Sequence, residues 1–232
     1  MQAYSATGGS GLSASAAVVM RGAGVMPRRA AAMASRSTPT TRKLVRGEEL
    51  FAEGDTADCF YKVASGTIRT YKLLSDGRRQ IDAFHFPGDI FGLETGAEYR
   101  FSAEAVEDAT VISFRRCRFE RLSHEDPAFG DQILSSMMRS LERAHDHMLL
   151  LGRKTAQEKI ATFLLDMAKR ISREDSFDLP MQRSDIADHL GLTIETVSRT
   201  LTQLARDGII KLAAASRSVV LCDKAALRRL NA

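Results

Sequence analysis

The stretch from Asp185 to Leu201 constrains the fold of this chain more than any other part of its sequence. It predicts two short helices joined by a tight turn, because Ala187 is small enough for a close helix contact and Gly191, four residues later, permits the turn. Thr193 can cap the second helix through its side-chain oxygen. The apolar positions that follow are expected to face inward, since they recur every three or four residues: Ile194, Val197, Leu201 and Leu204. The stretch therefore predicts a helix–turn–helix.

The second of these helices carries three polar side chains on the face opposite its apolar positions. Glu195, Ser198 and Arg199 stand at positions i, i+3 and i+4, so they project from one side of the helix. An arginine can donate two hydrogen bonds to guanine O6 and N7, a glutamate can accept from cytosine N4 or an adenine amino group, and a serine can bond either way. This face predicts contacts with base edges in a DNA groove.

Each of the three residues also has a simpler explanation. Glu195 in the first turn can stabilise the helix dipole, Ser198 can be solvated surface, and Arg199 can contact only a phosphate. The motif around them favours base contacts. Further candidate DNA-contacting residues lie on the motif and just before and after it, the arginines as phosphate contacts: Thr193, Thr196, Arg183, Arg206 and Arg217.

The net charge of +4 hides a segregation along the chain. Residues 1–47 hold seven lysines and arginines and no acid, residues 48–152 carry a net charge of −7, and residues 153–232 carry +4. An acidic middle part beside a basic C-terminal part is typical of a DNA-binding protein with a separate module of another function.

Other residue types narrow the function further. Cys59, Cys117 and Cys222 lie far apart, which indicates a reducing compartment rather than a disulfide scaffold. No apolar run reaches membrane-spanning length, so we expect a soluble, cytoplasmic protein with no membrane partner. The five histidines show no metal-ligand pattern, and the chain has no phosphate-binding loop or nucleophile motif. We therefore expect no metal and no enzymatic activity.

The N-terminal part divides into a leader and a β-rich region. Residues 1–41 are rich in Ala, Ser, Gly and Thr and predict a disordered basic leader, either a flexible arm or an upstream start, with a transit peptide as the alternative. Residues 42–123 predict a β-roll or β-sandwich, because short apolar runs alternate with Gly-containing turns. Asp76-Gly77 marks a hairpin. The apolar runs are Cys59–Val63, Thr67–Leu74, Gln80–Phe86 and Val111–Phe114.

Residues 124–152 predict one long helix with an apolar stripe. A stripe of this length on a thin connector needs a partner, and a second copy of the chain is the simplest one. Packing against the chain's own β-roll is the alternative, and both can hold on different faces. The predicted dimerisation residues step four and three along the helix: Leu134, Met138, Leu141, His145 and Met148. A second register competes with this one: Ile133, Met137, Leu141, Ala144 and Met148.

Residues 153–232 predict a winged helix–turn–helix domain. An amphipathic helix over 154–173 and an extended link ending at Leu179-Pro180 precede the motif, and Gly208 ends its second helix. Ile209–Leu212 and Val219–Leu221 predict a short hairpin wing. The whole chain is therefore expected to be of the α+β class.

Nearly all of residues 44–230 resembles the Crp/Fnr family of bacterial transcription regulators, especially its FixK type. The resemblance lies in Gly47-Glu-Glu-Leu-Phe51, Gly54-Asp55, Tyr61-Lys-Val-Ala-Ser-Gly66, Pro87-Gly-Asp-Ile-Phe-Gly92 and Leu190-Gly-Leu-Thr-Ile-Glu-Thr-Val-Ser-Arg199. It implies a cyclic-nucleotide-binding-like β-roll, a dimerisation helix and a C-terminal winged helix–turn–helix. The spacing of Glu195, Ser198 and Arg199 resembles the Fnr-type set of base-contacting residues, which implies palindromic operators with TTGAT-like half-sites.

Two departures from the family bear on effectors. The chain has three cysteines, too few for the four-thiolate iron–sulfur cluster of oxygen-sensing Fnr proteins. Leu93 separates Gly92 from Glu94, and Phe101 separates Arg100 from Ser102, so ribose and phosphate contacts of the cyclic-AMP-binding members would be misplaced.

The FixK type lacks both sensors, and we expect this chain to need no cofactor. The resemblance implies a homodimer that binds double-stranded DNA, contacts RNA polymerase and mainly activates genes for low-oxygen respiration, nitrogen fixation or denitrification. The alternative is a Crp/Fnr regulator that senses a cyclic nucleotide or haem.

Overall fold

A computed structural model describes residues 39–118, 126–171, 175–213 and 217–231 of the protein. Almost all of the predicted leader lies outside these ranges, and so does the predicted boundary at 123–124 between β-roll and long helix. The first strand begins at Thr40, two residues before the predicted start of the β-roll at residue 42.

Residues 40–115 form two antiparallel sheets of four strands each. One sheet has the order β1-β8-β3-β6 and the other the order β2-β7-β4-β5. An apolar core between them includes Val63, Ile68 and Val111, and this is the expected β-roll. The strands are β1 (Thr40–Leu44), β2 (Glu49–Phe51), β3 (Cys59–Ser65), β4 (Ile68–Leu73), β5 (Arg79–His85), β6 (Ile90–Phe91), β7 (Ser102–Ala105) and β8 (Ala109–Arg115).

The predicted hairpin at Asp76-Gly77 is confirmed. Strands β4 and β5 pair antiparallel from Ile68 opposite His85 to Leu73 opposite Arg79. Gly77 has a φ of 84°, a left-handed conformation that a glycine adopts without steric cost. The hairpin carries β5 to the side of the β-roll that meets the C-terminal domain.

A single helix, α1 (Pro127–Arg153), follows the β-roll. Its 27 residues span about 40 Å at 1.5 Å per residue. The Asp126 side chain caps it by accepting from the Phe129 N–H, and Pro127 suits the first turn because its missing N–H would have no partner there. Ile133 is fully buried with Phe60 and Phe114, so one face of α1 packs on the β-roll.

The C-terminal domain is a winged helix–turn–helix, as the sequence predicts. Its three strands pair in the order β10-β11-β9, so the wing has one strand more than the predicted hairpin. Its core includes Leu164, Leu190 and Leu204, all fully buried. The elements are α2 (Ala156–Ile171), β9 (Ser176–Asp178), α3 (Arg183–Leu190), α4 (Ile194–Arg206), β10 (Ile210–Leu212), β11 (Ser218–Leu221) and α5 (Lys224–Asn231).

One predicted core position is wrong. Val197, Leu201 and Leu204 face inward, whereas the side chain of Ile194 is 48% exposed. Ile194 is the first residue of α4, so its side chain lies beyond the edge of the small core that the rest of the helix covers.

None of the helices within the described ranges has the length and apolar character needed to cross a membrane.

Buried histidines make the stability of this fold depend on pH. Burial lowers the pKa of both His85 and His189 to about 3. In the unfolded chain these imidazoles take up a proton near pH 6.5, whereas in the folded chain they stay neutral at that pH. The free energy of unfolding is therefore highest above about pH 6.5 and falls as the pH drops below it.

We expect the free energy of unfolding to fall by about 1 kcal/mol between pH 7 and pH 6, measured by urea denaturation. His189→Phe keeps a ring against Phe84 and should reduce that fall, because one of the buried histidines that take up a proton on unfolding is gone. Equal stability of the parent at both pH values would contradict the prediction.

Candidate nucleic-acid interface

The helix expected to contact DNA starts at a side-chain cap. Thr193 Oγ1 accepts a hydrogen bond of 3.2 Å from the Thr196 N–H and lies 3.1 Å from Thr196 Oγ1. Gly191 stands before it with a φ of 61° and a ψ of 44°, the left-handed turn that ends α3. Both threonines proposed as DNA contacts thus have a structural role in fixing where α4 begins.

The three predicted base-contacting residues lie on the outer side of α4. Glu195 and Arg199 are exposed and Ser198 is half-buried, while Val197 and Leu201 on the other side are buried. A hydrogen bond from its own backbone N–H lowers the pKa of Glu195, with a smaller contribution from Thr193. Its carboxylate is therefore ionised at neutral pH and acts only as a hydrogen-bond acceptor.

Arg183 contacts this set of residues from the neighbouring helix. It is the first residue of α3 and is exposed, and its Nη1 donates a hydrogen bond of 3.2 Å to Ser198 Oγ. A serine hydroxyl that accepts from a guanidinium keeps its own proton free to donate. Ser198 is thus prepared to meet an acceptor on a base edge, such as N7 of a purine or O4 of thymine.

The two other candidate phosphate contacts differ in their surroundings. Arg206 is exposed in the last turn of α4. Arg217 is also exposed, but its Nη1 donates a hydrogen bond of 2.6 Å to the carbonyl oxygen of Pro180. Arg217 therefore ties the wing to the extended link before α3, a role that its position in the sequence does not reveal.

Ile194 is a surface residue of α4, although its helical spacing predicts a core position. Its exposed aliphatic side chain neighbours Glu195 at the start of α4, where it could pack against a thymine methyl group. Its spacing from Val197 is the same for a buried and for an exposed side chain at the start of a helix, so the sequence does not distinguish the two positions.

The predicted dimerisation residues form a solvent-exposed stripe along α1. Leu134 is 60% exposed, Leu141 51% and Met148 64%, and Met138 and His145 are exposed with them. Met137 and Leu149 widen the stripe. Of the competing register, Ile133 is fully buried against the β-roll, whereas its other four positions are exposed. One face of α1 therefore packs on the β-roll, and the predicted dimerisation residues lie on an exposed face of the same helix.

The N-terminal and C-terminal parts of the chain each match a known domain family. Residues 158–230 match the Crp-like helix-turn-helix domain, and residues 41–126 match the cyclic nucleotide-binding domain. The nitrogen fixation regulation protein FixK of Azorhizobium caulinodans is 47% identical over 209 residues, which cover 88% of this chain and 83% of that protein. The chain belongs to the Crp/Fnr family of transcription regulators.

Other Crp/Fnr proteins agree with this assignment. The transcriptional activatory protein AadR of Rhodopseudomonas palustris is 46% identical over 167 residues, 70% of each chain. The solved structure of FixK2 from Bradyrhizobium japonicum superposes with a TM-score of 0.78 at 45% identity, over 84% of this chain and 98% of that one. The predicted fold class is confirmed, and the protein is a DNA-binding transcription activator of this family rather than an enzyme.

The residues that stand nearest to the family's nucleotide contacts form ion pairs within the chain. Glu94 and Arg100, the candidates for ribose and phosphate contacts, pair with each other, with Arg100 Nε 2.9 Å from Glu94 Oε2. Nearby, Lys72 pairs with Glu53 at 2.7 Å. Arg100 and Lys72 both line a depression of about 420 Å³, and both side chains are substantially exposed. The described residues also hold no cluster of His, Cys, Asp or Glu suited to a metal ion.

Proposed function

We propose that the protein is a FixK-type activator that binds palindromic operators with TTGAT-like half-sites as a homodimer in the cytoplasm. The observation that carries this proposal is the position of Glu195, Ser198 and Arg199 on the outer side of a helix whose opposite side is buried. Arg199 would bind guanine O6 and N7, Glu195 would accept from a cytosine or adenine amino group, and Ser198 would donate to a base acceptor.

The homodimer follows from the exposed apolar stripe on α1. Large apolar side chains repeated along 15 residues of one helix are unfavourable in water, and a second copy of α1 would cover them symmetrically. The two copies of α4 would then enter successive major grooves about 34 Å apart, the spacing that a palindrome requires. Arg183, Arg206, Arg217, Thr193 and Thr196 would lie beside the DNA backbone.

The kind of genes that this protein controls is proposed from the names of related proteins. The name of the FixK protein of Azorhizobium caulinodans refers to nitrogen fixation regulation, which supports a role in low-oxygen respiration, nitrogen fixation or denitrification. An activator of this kind contacts RNA polymerase, so we propose polymerase as a partner.

Selection of bound DNA from a random pool tests this proposal. The full-length protein is used without any effector and at one fixed salt concentration, because phosphate contacts make affinity strongly salt-dependent. We expect a palindrome with TTGAT-like halves. Enrichment of asymmetric sequences would contradict the homodimer. Binding that appears only after addition of a cyclic nucleotide or haem would favour the effector-sensing alternative instead.

A further inference from the structure

Two arginines of the β-roll meet two aspartates on α3, the first helix of the helix–turn–helix. Arg69 Nη1 lies 2.9 Å from Asp185 Oδ1, and Arg79 Nη2 lies 2.6 Å from the same oxygen. Arg79 also donates from Nε to Asp188 Oδ2 at 2.9 Å. More than 100 residues of chain separate the partners, so these contacts join two domains.

This set of ion pairs, here called the interdomain junction, is largely shielded from water. The side chain of Asp185 is 5% exposed, that of Arg69 12% and that of Arg79 23%. Glu104 of β7 completes the junction by pairing with Arg69 Nη2 at 2.7 Å. Shielded pairs of this kind are screened by salt far less than surface pairs. They also have directional requirements that apolar contacts lack.

Apolar packing accompanies the junction but does not by itself fix an orientation. Ile81 and Phe84 of β5 share one core with Leu190 of α3. Such contacts favour burial without imposing one angle between the domains. The buried carboxylate of Asp185 is different, because removal from water is unfavourable unless its partners stay in place. Together with other polar contacts between the domains, such as Arg170 Nη2 to Asp89 Oδ2 at 2.8 Å, the junction restricts the domains to the arrangement that keeps Asp185 paired.

The junction also reaches the DNA-facing side of the motif. Asp185 Oδ2 accepts a hydrogen bond of 3.0 Å from the Gln182 N–H, so the same carboxylate fixes the first turn of α3. Arg183 lies in that turn and donates to Ser198 of α4. Glu195 and Arg199 remain exposed while the junction is formed, so the ion pairs do not cover the surface that would meet bases.

From this arrangement we infer that Arg69 and Arg79 are positioning residues for DNA binding. Through Asp185 and Asp188 they hold the helix–turn–helix against the β-roll in the orientation that binds the operator, without any effector. This inference rests on the proposed function, because it assigns the junction to operator binding.

Charge reversal within the junction tests the inference. Arg79→Glu places a carboxylate against Asp185 and Asp188, and we expect operator affinity to fall about tenfold, within the usual range for coupling between sites. Adding Asp188→Arg restores an opposite-charge pair and should recover most of that loss, which a general defect in folding would not show. Arg78→Glu is the matched control, because Arg78 pairs only with Asp76 at the exposed tip of the same hairpin among the described residues.

A distance measurement without DNA separates the junction from the proposed function. Spin labels are attached to Cys117 on the β-roll and Cys222 on the winged domain, both exposed, in a Cys59→Ser background. Labelled chains are diluted with unlabelled ones so that one chain per dimer is observed. We expect one narrow distance distribution in the parent, a broad one in Arg79→Glu and a narrow one in the charge swap.

The two readouts together decide the inference. An unchanged distance distribution in Arg79→Glu would overturn it, and so would a broadened distribution with unchanged operator affinity. Increased operator affinity in Arg79→Glu would overturn it as well, because the junction would then restrain an inactive orientation. If the parent selects no palindrome while the distances respond as expected, the proposed function fails and the junction between domains stands.

Discussion

Replacing Leu141 with glutamate is expected to convert the proposed homodimer to a monomer. Leu141 lies in the middle of the exposed stripe on α1, and in a symmetric pair the substitution enters the interface twice. Each new carboxylate would lose its water without gaining a partner, which costs several kcal/mol, while the burial of each leucine, worth about 1.5–3 kcal/mol, is lost. Sedimentation velocity should report the mass of one chain.

The affinity of the Leu141→Glu variant for the operator should fall because the variant no longer dimerises. A monomer binds a single half-site and loses the high effective concentration that joins the second half-site to the first, so we expect a loss of roughly 100-fold or more. Arg139→Glu is the matched control, since Arg139 lies two residues earlier and about 200° around the same helix, on an exposed polar face. A Leu141→Glu variant that remains dimeric would show that another surface pairs the chains.

Local sequence signals predicted the elements that local physics determines. Gly191 adopts the left-handed conformation that the turn requires, Thr193 caps α4, and Gly77 adopts the positive φ of the β4–β5 hairpin. Each of these depends on a few neighbouring residues, so the sequence contains the necessary information. The long helix follows from its periodicity in the same way.

Elements defined by distant partners were not predicted. Strand β9 has only three residues and exists because Phe177 pairs with Val219 on β11. Helix α5 was also missed, although Leu227 within it is fully buried. The sequence likewise left the register of the α1 stripe open, because only the fold reveals that Ile133 packs on the β-roll.

The candidate site shows the same division. The exposed face of α4 could be predicted from the helical spacing of Glu195, Ser198 and Arg199. The bond from Arg183 to Ser198 and the pairing of Asp185 with Arg69 could not, because they join residues 15 and 116 positions apart. In the sequence Asp185 is one polar residue of a short helix, whereas in the fold it is buried and pairs with both Arg69 and Arg79.

Replacing Arg199 with alanine is expected to weaken binding to the selected operator by about 1–3 kcal/mol, or roughly 5- to 150-fold. Arg199 is exposed on the outer side of α4, one turn after Glu195, where a guanidinium can reach O6 and N7 of one guanine in each half-site. The measurement is fluorescence anisotropy with the selected operator and with the same operator altered at that guanine. The alanine variant should bind both DNAs equally, because the group that distinguishes them is gone.

Two further variants separate base contact from phosphate contact at Arg199. Arg199→Lys keeps the positive charge but cannot form the two parallel hydrogen bonds, so it should lose discrimination at the guanine while keeping most of the salt dependence. Arg206→Ala removes an exposed arginine from the last turn of the same helix and should weaken binding to both DNAs alike, with a smaller salt slope. If Arg199→Ala behaved like Arg206→Ala, Arg199 would be a phosphate contact, and Glu195 and Ser198 would have to account for the sequence preference.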